Sequence, residues 1–203
     1  MKIVLATKNP KKVVELQRMA PSSIEILCLK DVDEALKIPQ AEETGETFIE
    51  NARIKALYWA EKLQMPAIGE DSGIEIDALN GAPGVYTKRC MEKYCPGEDI
   101  NVDNPRELYP KILEVMASSG NASKKAKWVS AIVLALPNGE SIEAVSSLSG
   151  EMCECAGDHE FGFDQYFKPD GFEETLSQLA PAKKDEIGPR RKAFMQVLEQ
   201  KIN

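Results

Sequence analysis

The stretch AIGEDSGIEIDALNGAPGVYTKR, residues 67–89, decides how the rest of the chain is read. Its first residues are apolar and suit a short buried strand. Two adjacent carboxylates, Glu70 and Asp71, then stand at what reads as a turn opened by Ser72-Gly73. Alternation resumes through Ile74, Ile76 and Ala78, and Gly81-Ala82-Pro83-Gly84 marks a second turn. Acids at the end of a buried strand, beside a glycine, suit a divalent metal and a reacting water. An acidic hairpin tip facing solvent accounts for the same residues equally well, so this segment alone leaves both readings open.

On the N-terminal side, Lys2 to Ala6 reads as a first strand and Asn9-Pro10 as a helix start, with an asparagine cap and proline in the first turn. The junction Thr7-Lys8-Asn9-Pro10-Lys11-Lys12 offers free backbone N–H groups, a hydroxyl and three lysines. That is phosphate-site physics without the Walker pattern; a solvated basic turn is the plainer reading of the same residues. Ile24 to Leu29 is a second strand. Thr47 and Glu50 form a capping box, and Ile49, Ala52, Ala56, Trp59, Ala60 and Leu63 keep helical spacing to about Gln64. Thr47, Asn51 and Lys55 fall at steps of four in one polar row, which points Lys55 towards whatever Glu43 faces. A solvent-facing stripe is the default for such a row.

On the C-terminal side, 90–103 is polar and irregular, and a helix from about Pro105 stops at Gly120, with Pro110 expected to bend it. The run VSAIVLAL at 129–136 suits a strand buried on both faces, Pro137-Asn138-Gly139 a hairpin, and Ile142, Ala144 and Leu148 the inner side of the returning strand. Cys153 and Cys155 share a face near Asp158 and His159; without a second clear ligand pair, a zinc site is not favoured. Four aromatics crowd Phe161–Phe167, as core or as a base-stacking wall. Phe172 to Leu179 reads as a short helix, and Gly188-Pro189 opens the last one.

At 203 residues, 43% hydrophobic and 29% charged, the chain is an ordinary globule long enough for one large core, and no repeat or linker divides 1–203. No apolar run approaches the ~20 residues of a bilayer span, and the residues after Met1 lack a signal segment, so no membrane association is expected. Five cysteines without a C-x-x-C pair favour reduced thiols and a cytoplasmic setting. A net charge of −8 argues against nucleic acid as partner, although local lysines and a divalent cation can still hold a small anion. The single histidine points to carboxylates, lysines and a metal as the chemical parts.

Four segments together resemble the inosine triphosphatase family of nucleoside triphosphate pyrophosphatases: ATKNPKKVVEL at 6–16, EETGETFIENARIKA at 42–56, GEDSGIEIDALNGAPGVY at 69–86 and FGFDQYFKPDGFEET at 161–175. KDEIGPRRKA at 184–193 fits less well. The resemblance implies an elongated, two-lobed α/β fold, with a long mixed sheet, flanking helices and a nucleotide cleft between the lobes. It implies a homodimer using Mg²⁺ to hydrolyse ITP, dITP and XTP to the monophosphate and pyrophosphate, removing damaged nucleotides from the pool. Thr7, Asn9 and Lys12 match its phosphate-binding positions. Glu43 and Asp71 match those that bind Mg²⁺ and activate water, with Asp71 the general base and Glu70 a further metal candidate. Lys55 matches the lysine that holds phosphate and stabilises developing charge. Ser72 matches a nucleotide contact, Phe161, Phe163 and Asp164 the base-pocket motif, and Lys184 and Arg190 the basic residues of that pocket.

Three departures matter. Glu70 replaces a frequent aspartate, a form the family also uses. Gln165 replaces the proline after Asp164, which is expected to loosen that turn. Gly188-Pro189-Arg190 replaces Ser-His-Arg, and proline has no side-chain donor with which to read a base. Losing such a bond is expected to cost about 1–3 kcal/mol, or roughly ten- to a hundredfold in discrimination. Besides the family substrates, two alternatives therefore stand: the same hydrolysis on a different or modified base, and a nucleotide-binding protein without turnover.

Overall fold

Apolar and β-branched runs become the strands of a mixed sheet, and the computed structural model describes the whole chain except residues 33–34, 87–96, 98–99, 102–103, 159–161 and 203. The strands are β1 (Lys2–Leu5), β2 (Glu25–Cys28), β3 (Ala67–Ile76), β4 (Lys125–Ala135), β5 (Ser141–Met152) and β6 (Phe167–Pro169). They lie in the order β2-β1-β3-β4-β5-β6. β1 pairs in parallel with β2 and β3, whereas β6 runs antiparallel to β5. The described α-helices are α1 (Pro10–Met19), α2 (Phe48–Leu63), α3 (Pro105–Ser118), α4 (Pro181–Ile187) and α5 (Pro189–Ile202). None is long and apolar enough to cross a membrane. The expected α/β class is what the chain adopts.

Contacts divide the chain into two units. The first comprises 1–72, 130–146 and 187–203; the second comprises 73–129 and 147–186. In the first, Ile3, Leu5 and Ile68 of the sheet pack with Ile132 and Leu134 of β4, Leu16 of α1, and Phe194, Val197 and Leu198 of α5. Removing these side chains from water is the main favourable contribution to folding. In the second, Phe163 meets Trp128 and Phe167 edge-on at 5.7 and 5.8 Å, and Tyr109 of α3 stacks on Tyr166 at 5.5 Å. The aromatics after residue 161 are thus core where they are described.

Local signals hold where local chemistry decides. Asn9 caps α1 by accepting from the Lys11 N–H, and Pro10 occupies its first turn. Both arms of the Thr47–Glu50 capping box are formed at α2. Gly139, at φ 90°, turns the β4–β5 hairpin, with Leu136 N–H donating to Glu140 O. The second turn of the opening stretch is present: Ile76 N–H donates to Ala82 O and Gly81 N–H to Ile76 O.

Two expectations are overturned. Ser72-Gly73 makes no turn, because β3 runs unbroken through both residues and the sheet overrides their local preference. Residues 172–179 form turns instead of a helix. There the Gln178 side chain accepts from the Thr175 N–H, and Thr175 Oγ1 donates to Ala156 O, a local alternative to helical bonding. The short helix lies just beyond, as α4.

Candidate active site

The site in the first unit is built on the unbroken β3. Neighbouring side chains on a strand point to opposite faces, so Glu70 and Asp71 diverge although adjacent in sequence. Gly69 shares the face of Asp71 and sets what lies over it. A Cβ at Gly69 would stand 1.9 Å from Ala52 O and 2.8 Å from Ala56 N, so α2 lies directly on the strand backbone there. Ala52 and Ala56, both fully buried, complete the close contact. This approach carries Asn51 and Lys55 of α2 to Asp71.

Asn51 has no exposed surface. Its Oδ1 accepts from Gly45 N–H at 2.8 Å, and its Nδ2 donates to Asp71 Oδ2 at 3.3 Å. Lys55 Nζ lies 3.0 Å from Glu43 Oε1 and 3.6 Å from Asp71 Oδ1, bridging two carboxylates from different parts of the chain. Of the polar row Thr47-Asn51-Lys55, Asn51 and Lys55 are therefore buried, and only Thr47, the helix cap, faces solvent. Burial pushes the Asp71 carboxyl up from its ordinary value; Lys55 opposes the shift, while Glu70 and Glu43 add to it.

On the opposite face, Glu70 is 4% exposed. Its Oε2 meets Lys12 Nζ at 2.5 Å, and its Oε1 accepts from Arg190 Nε at 3.2 Å and from Ser130 Oγ at 3.5 Å. Burial resists ionisation of Glu70, but the charges of Lys12 and Arg190, with hydrogen bonds from Lys12 and Ser72, outweigh it and hold the carboxyl well below the usual range. Arg190 also donates to Glu15 at 2.5 Å and to Ser72 Oγ at 3.2 Å. One buried guanidinium thus ties α5 to α1 and β3. Thr7 and Asn9 shape the β1–α1 junction beside Lys12, with Asn9 N–H donating to Thr7 Oγ1 at 3.1 Å.

In the second unit, Asp164 is 3% exposed and bound to Lys184 Nζ of α4 at 2.5 Å. That ammonium lies 5.7 Å from the centre of the Trp128 ring, a cation–π distance. Phe163 is packed into the aromatic core, and Phe161 lies outside the described residues, as does His159. Gln165 does not leave its turn loose: its Nε2 donates to Gly157 O at 2.6 Å, and its Oε1 is buried without a partner among the described residues.

The structure therefore brings Glu43, Lys55 and Asp71 together, and separately Lys12, Glu70, Ser72 and Arg190. Lys184 pairs with Asp164, whereas Arg190 binds the Glu70 group. Sequence reasoning did not single out Glu15, Asn51, Gly69 or Ser130. Of these only Asn51 left a signal, its place in the polar row. Among the described residues no three His, Cys, Asp or Glu side chains converge as a closed metal cage. The two oxygen donors beside Lys55 nevertheless fit Mg²⁺, which keeps several waters and takes one or two carboxylates with substrate phosphates.

The model of the Ham1 family matches residues 3–200. A dITP/XTP pyrophosphatase of Flavobacterium johnsoniae is 36% identical over 200 residues, covering 98% of this chain and 97% of that protein. The dITP/XTP pyrophosphatase of Thermus thermophilus is 37% identical over 201 residues, covering 98% and 91%. Among solved structures, a HAM1 protein from Coxiella burnetii superposes with a TM-score of 0.79 at 30% identity, covering 98% of this chain and 95% of that one. By its sequence, its fold and the reach of both similarities, the chain belongs to the Ham1 family.

Proposed function

We propose that the protein is a nucleoside triphosphate pyrophosphatase that cleaves the α–β phosphoanhydride of deaminated purine nucleotides such as ITP, dITP and XTP. The observation that carries the reading is Lys55 held between Glu43 and Asp71, with the Asp71 carboxyl shifted up by burial. A base that must take a proton from water near neutrality is served by such a shift. The full-length relatives named dITP/XTP pyrophosphatases support the substrate class.

In this mechanism ionised Asp71 takes the proton of the attacking water. Asn51 donates to one Asp71 oxygen and fixes the carboxylate plane. Lys55 offers positive charge where negative charge grows on the phosphoryl oxygens. Thr7, Asn9 and Lys12 at the start of α1 supply donors and charge for the polyphosphate. Glu43 and Asp71 would hold Mg²⁺, which when bound neutralises phosphate charge and polarises the scissile anhydride. Glu70, with both oxygens engaged, serves in this reading as the anchor of Lys12 and Arg190 rather than as a metal ligand. Phe161, Asp164 and Lys184 keep the base-recognising roles that the resemblance gives them, and Ser72 its nucleotide contact. The working form is a cytoplasmic homodimer.

A second reading keeps the hydrolysis and moves the base preference, because Pro189 carries no side-chain donor. Purified protein, Mg²⁺ and a panel of nucleoside triphosphates, with the phosphate products identified, separates the readings. Pyrophosphate from ITP and XTP supports the first, and another preferred base replaces it with the second. Nucleotide binding without any product rejects turnover altogether. Asp71→Asn is expected to abolish hydrolysis while retaining nucleotide binding; near-normal turnover refutes Asp71 as base.

A further inference from the structure

Just after β5, the chain leaves the sheet pattern in a way the proposed reaction does not use. Cys153 N–H donates to Tyr166 O, and Ala156 N–H donates to Gln165 O, both at 2.9 Å. Three steps of chain from 153 to 156 thus face a single step of their partner, from 166 to 165. The extra residues form a bulge, and the chain bends at Glu154. A straight strand spaces alternate Cα atoms at about 6.6 Å, the upper edge of what a disulfide spans; a bend shortens that distance. Cys153 and Cys155 flank the bend as free thiols. Cys155 is exposed, while half-buried Cys153 lines a cavity of about 480 Å³ with Met116, Lys124, Met152 and Glu154. Burial above all keeps the Cys153 thiol protonated, against the pull of Lys168 and Lys124 and with Glu151 and Cys155 adding to the effect.

We propose that Cys153 and Cys155 form a peroxide-responsive dithiol, closing to a disulfide across the bend at Glu154. Hydrogen peroxide or an alkyl hydroperoxide is the oxidant. The accessible Cys155 sulfur attacks one peroxide oxygen and becomes the sulfenic acid, releasing water from hydrogen peroxide. The Cys153 sulfur then attacks Cys155 Sγ, its proton passing to the departing hydroxide as a second water. In total two thiols and one hydrogen peroxide give one disulfide and two waters, and an alkyl hydroperoxide gives its alcohol in place of the first water. The cavity beside Cys153 gives its side chain room to turn towards Cys155. The bulge is also fastened to the turn carrying Asp164, through the Tyr166 and Gln165 carbonyls and the bond from Gln165 Nε2 to Gly157 O. Closure therefore pulls on that turn; its effect on substrate rests on the reading of Asp164 as a base contact.

The test is peroxide titration of the full chain, followed by tryptic mass spectrometry. Because Pro169 protects the Lys168 bond from trypsin, the peptide is 128–183, which contains Cys153 and Cys155 and no other cysteine. The expected product is that peptide lighter by two hydrogens and restored by dithiothreitol, absent in Cys155→Ser and in Cys153→Ser. Stable sulfinic acid on Cys155 with Cys153 still free, or linkage of either to another peptide, overturns the proposal. Oxidised parent protein should show KM raised about tenfold, the scale of one charge-assisted hydrogen bond lost at the Asp164 turn, and Cys155→Ser should not respond. Closure without a change in KM refutes the coupling. Asp164→Asn in the reduced protein reports separately on the base-contact reading: unchanged KM there rejects that reading and leaves the disulfide result standing.

Discussion

Substituting Gly69 by alanine probes how α2 places Lys55 without touching a charged group. The new methyl would sit 1.9 Å from Ala52 O, whereas ordinary contact begins at 3.4 Å. α2 or β3 must therefore yield by about 1.5 Å, and both are backbone with no rotamer to absorb the clash. Overpacking of this kind costs about 1–3 kcal/mol in stability. The larger effect should be on catalysis. Lys55 lies 3.6 Å from Asp71 Oδ1 and Asn51 3.3 Å from Oδ2, so a shift of that size breaks the second contact and lengthens the first. Misplacement by about 1 Å is worth roughly 10²-fold in rate. Urea unfolding monitored by circular dichroism reads the stability, and pyrophosphate release at saturating nucleotide reads kcat. Gly150→Ala is the control: it meets Lys168 O at 2.3 Å in the second unit and should lose stability without a comparable fall in kcat. If Gly69→Ala unfolds at the parental urea concentration with parental kcat, the account of α2 lying on Gly69 is wrong.

Lys55→Met removes the cation that favours ionised Asp71, so the acid limb of the kcat/KM profile should move to higher pH; an unmoved limb rejects Asp71 as the titrating base. Glu70→Gln leaves Lys12 and Arg190 without their shared anion and should cost about 3–5 kcal/mol. Because the folded-state value of Glu70 is depressed, its contribution is full above its ordinary 4.5 and fades as pH falls below it. The gap between parent and variant in urea unfolding should accordingly narrow in acid, and a gap that widens there contradicts the assignment. Chelation by EDTA should abolish pyrophosphate release and Mg²⁺ restore it, whereas turnover that persists after chelation rejects the role given to Glu43.

What was legible in the sequence was decided within a few residues. The Asn9 and Thr47 caps, the Gly139 hairpin and the doubly buried β4 depend on adjacent side chains and appear as read. Ser72-Gly73 misled because its turn chemistry is local, while the sheet that holds it extended is not. Asn51 and Lys55 looked like a solvent stripe, since nothing in α2 itself says that a glycine on β3 lets the helix descend onto the acids. Arg190 finds Glu70 and Glu15 at separations of 120 and 175 residues, a convergence no spacing rule reveals. The Gln165 replacement was legible as a departure, but its bond to Gly157 O depends on a loop that only the folded chain brings near.

The alternation of β3 makes the order of its two acids meaningful, not merely their number. Glu70 reaches to Lys12 and Arg190 on one side, while Asp71 stays close to the strand for Asn51 and Lys55 on the other. Exchanging them, as Glu70→Asp with Asp71→Glu, conserves composition, mass and formal charge. It nevertheless shortens the arm that needs length and lengthens the one held short. Such a transposed protein would be an anagram of the parent, indistinguishable by any sum over its residues, yet with its latch slack and its catalytic carboxylate crowded.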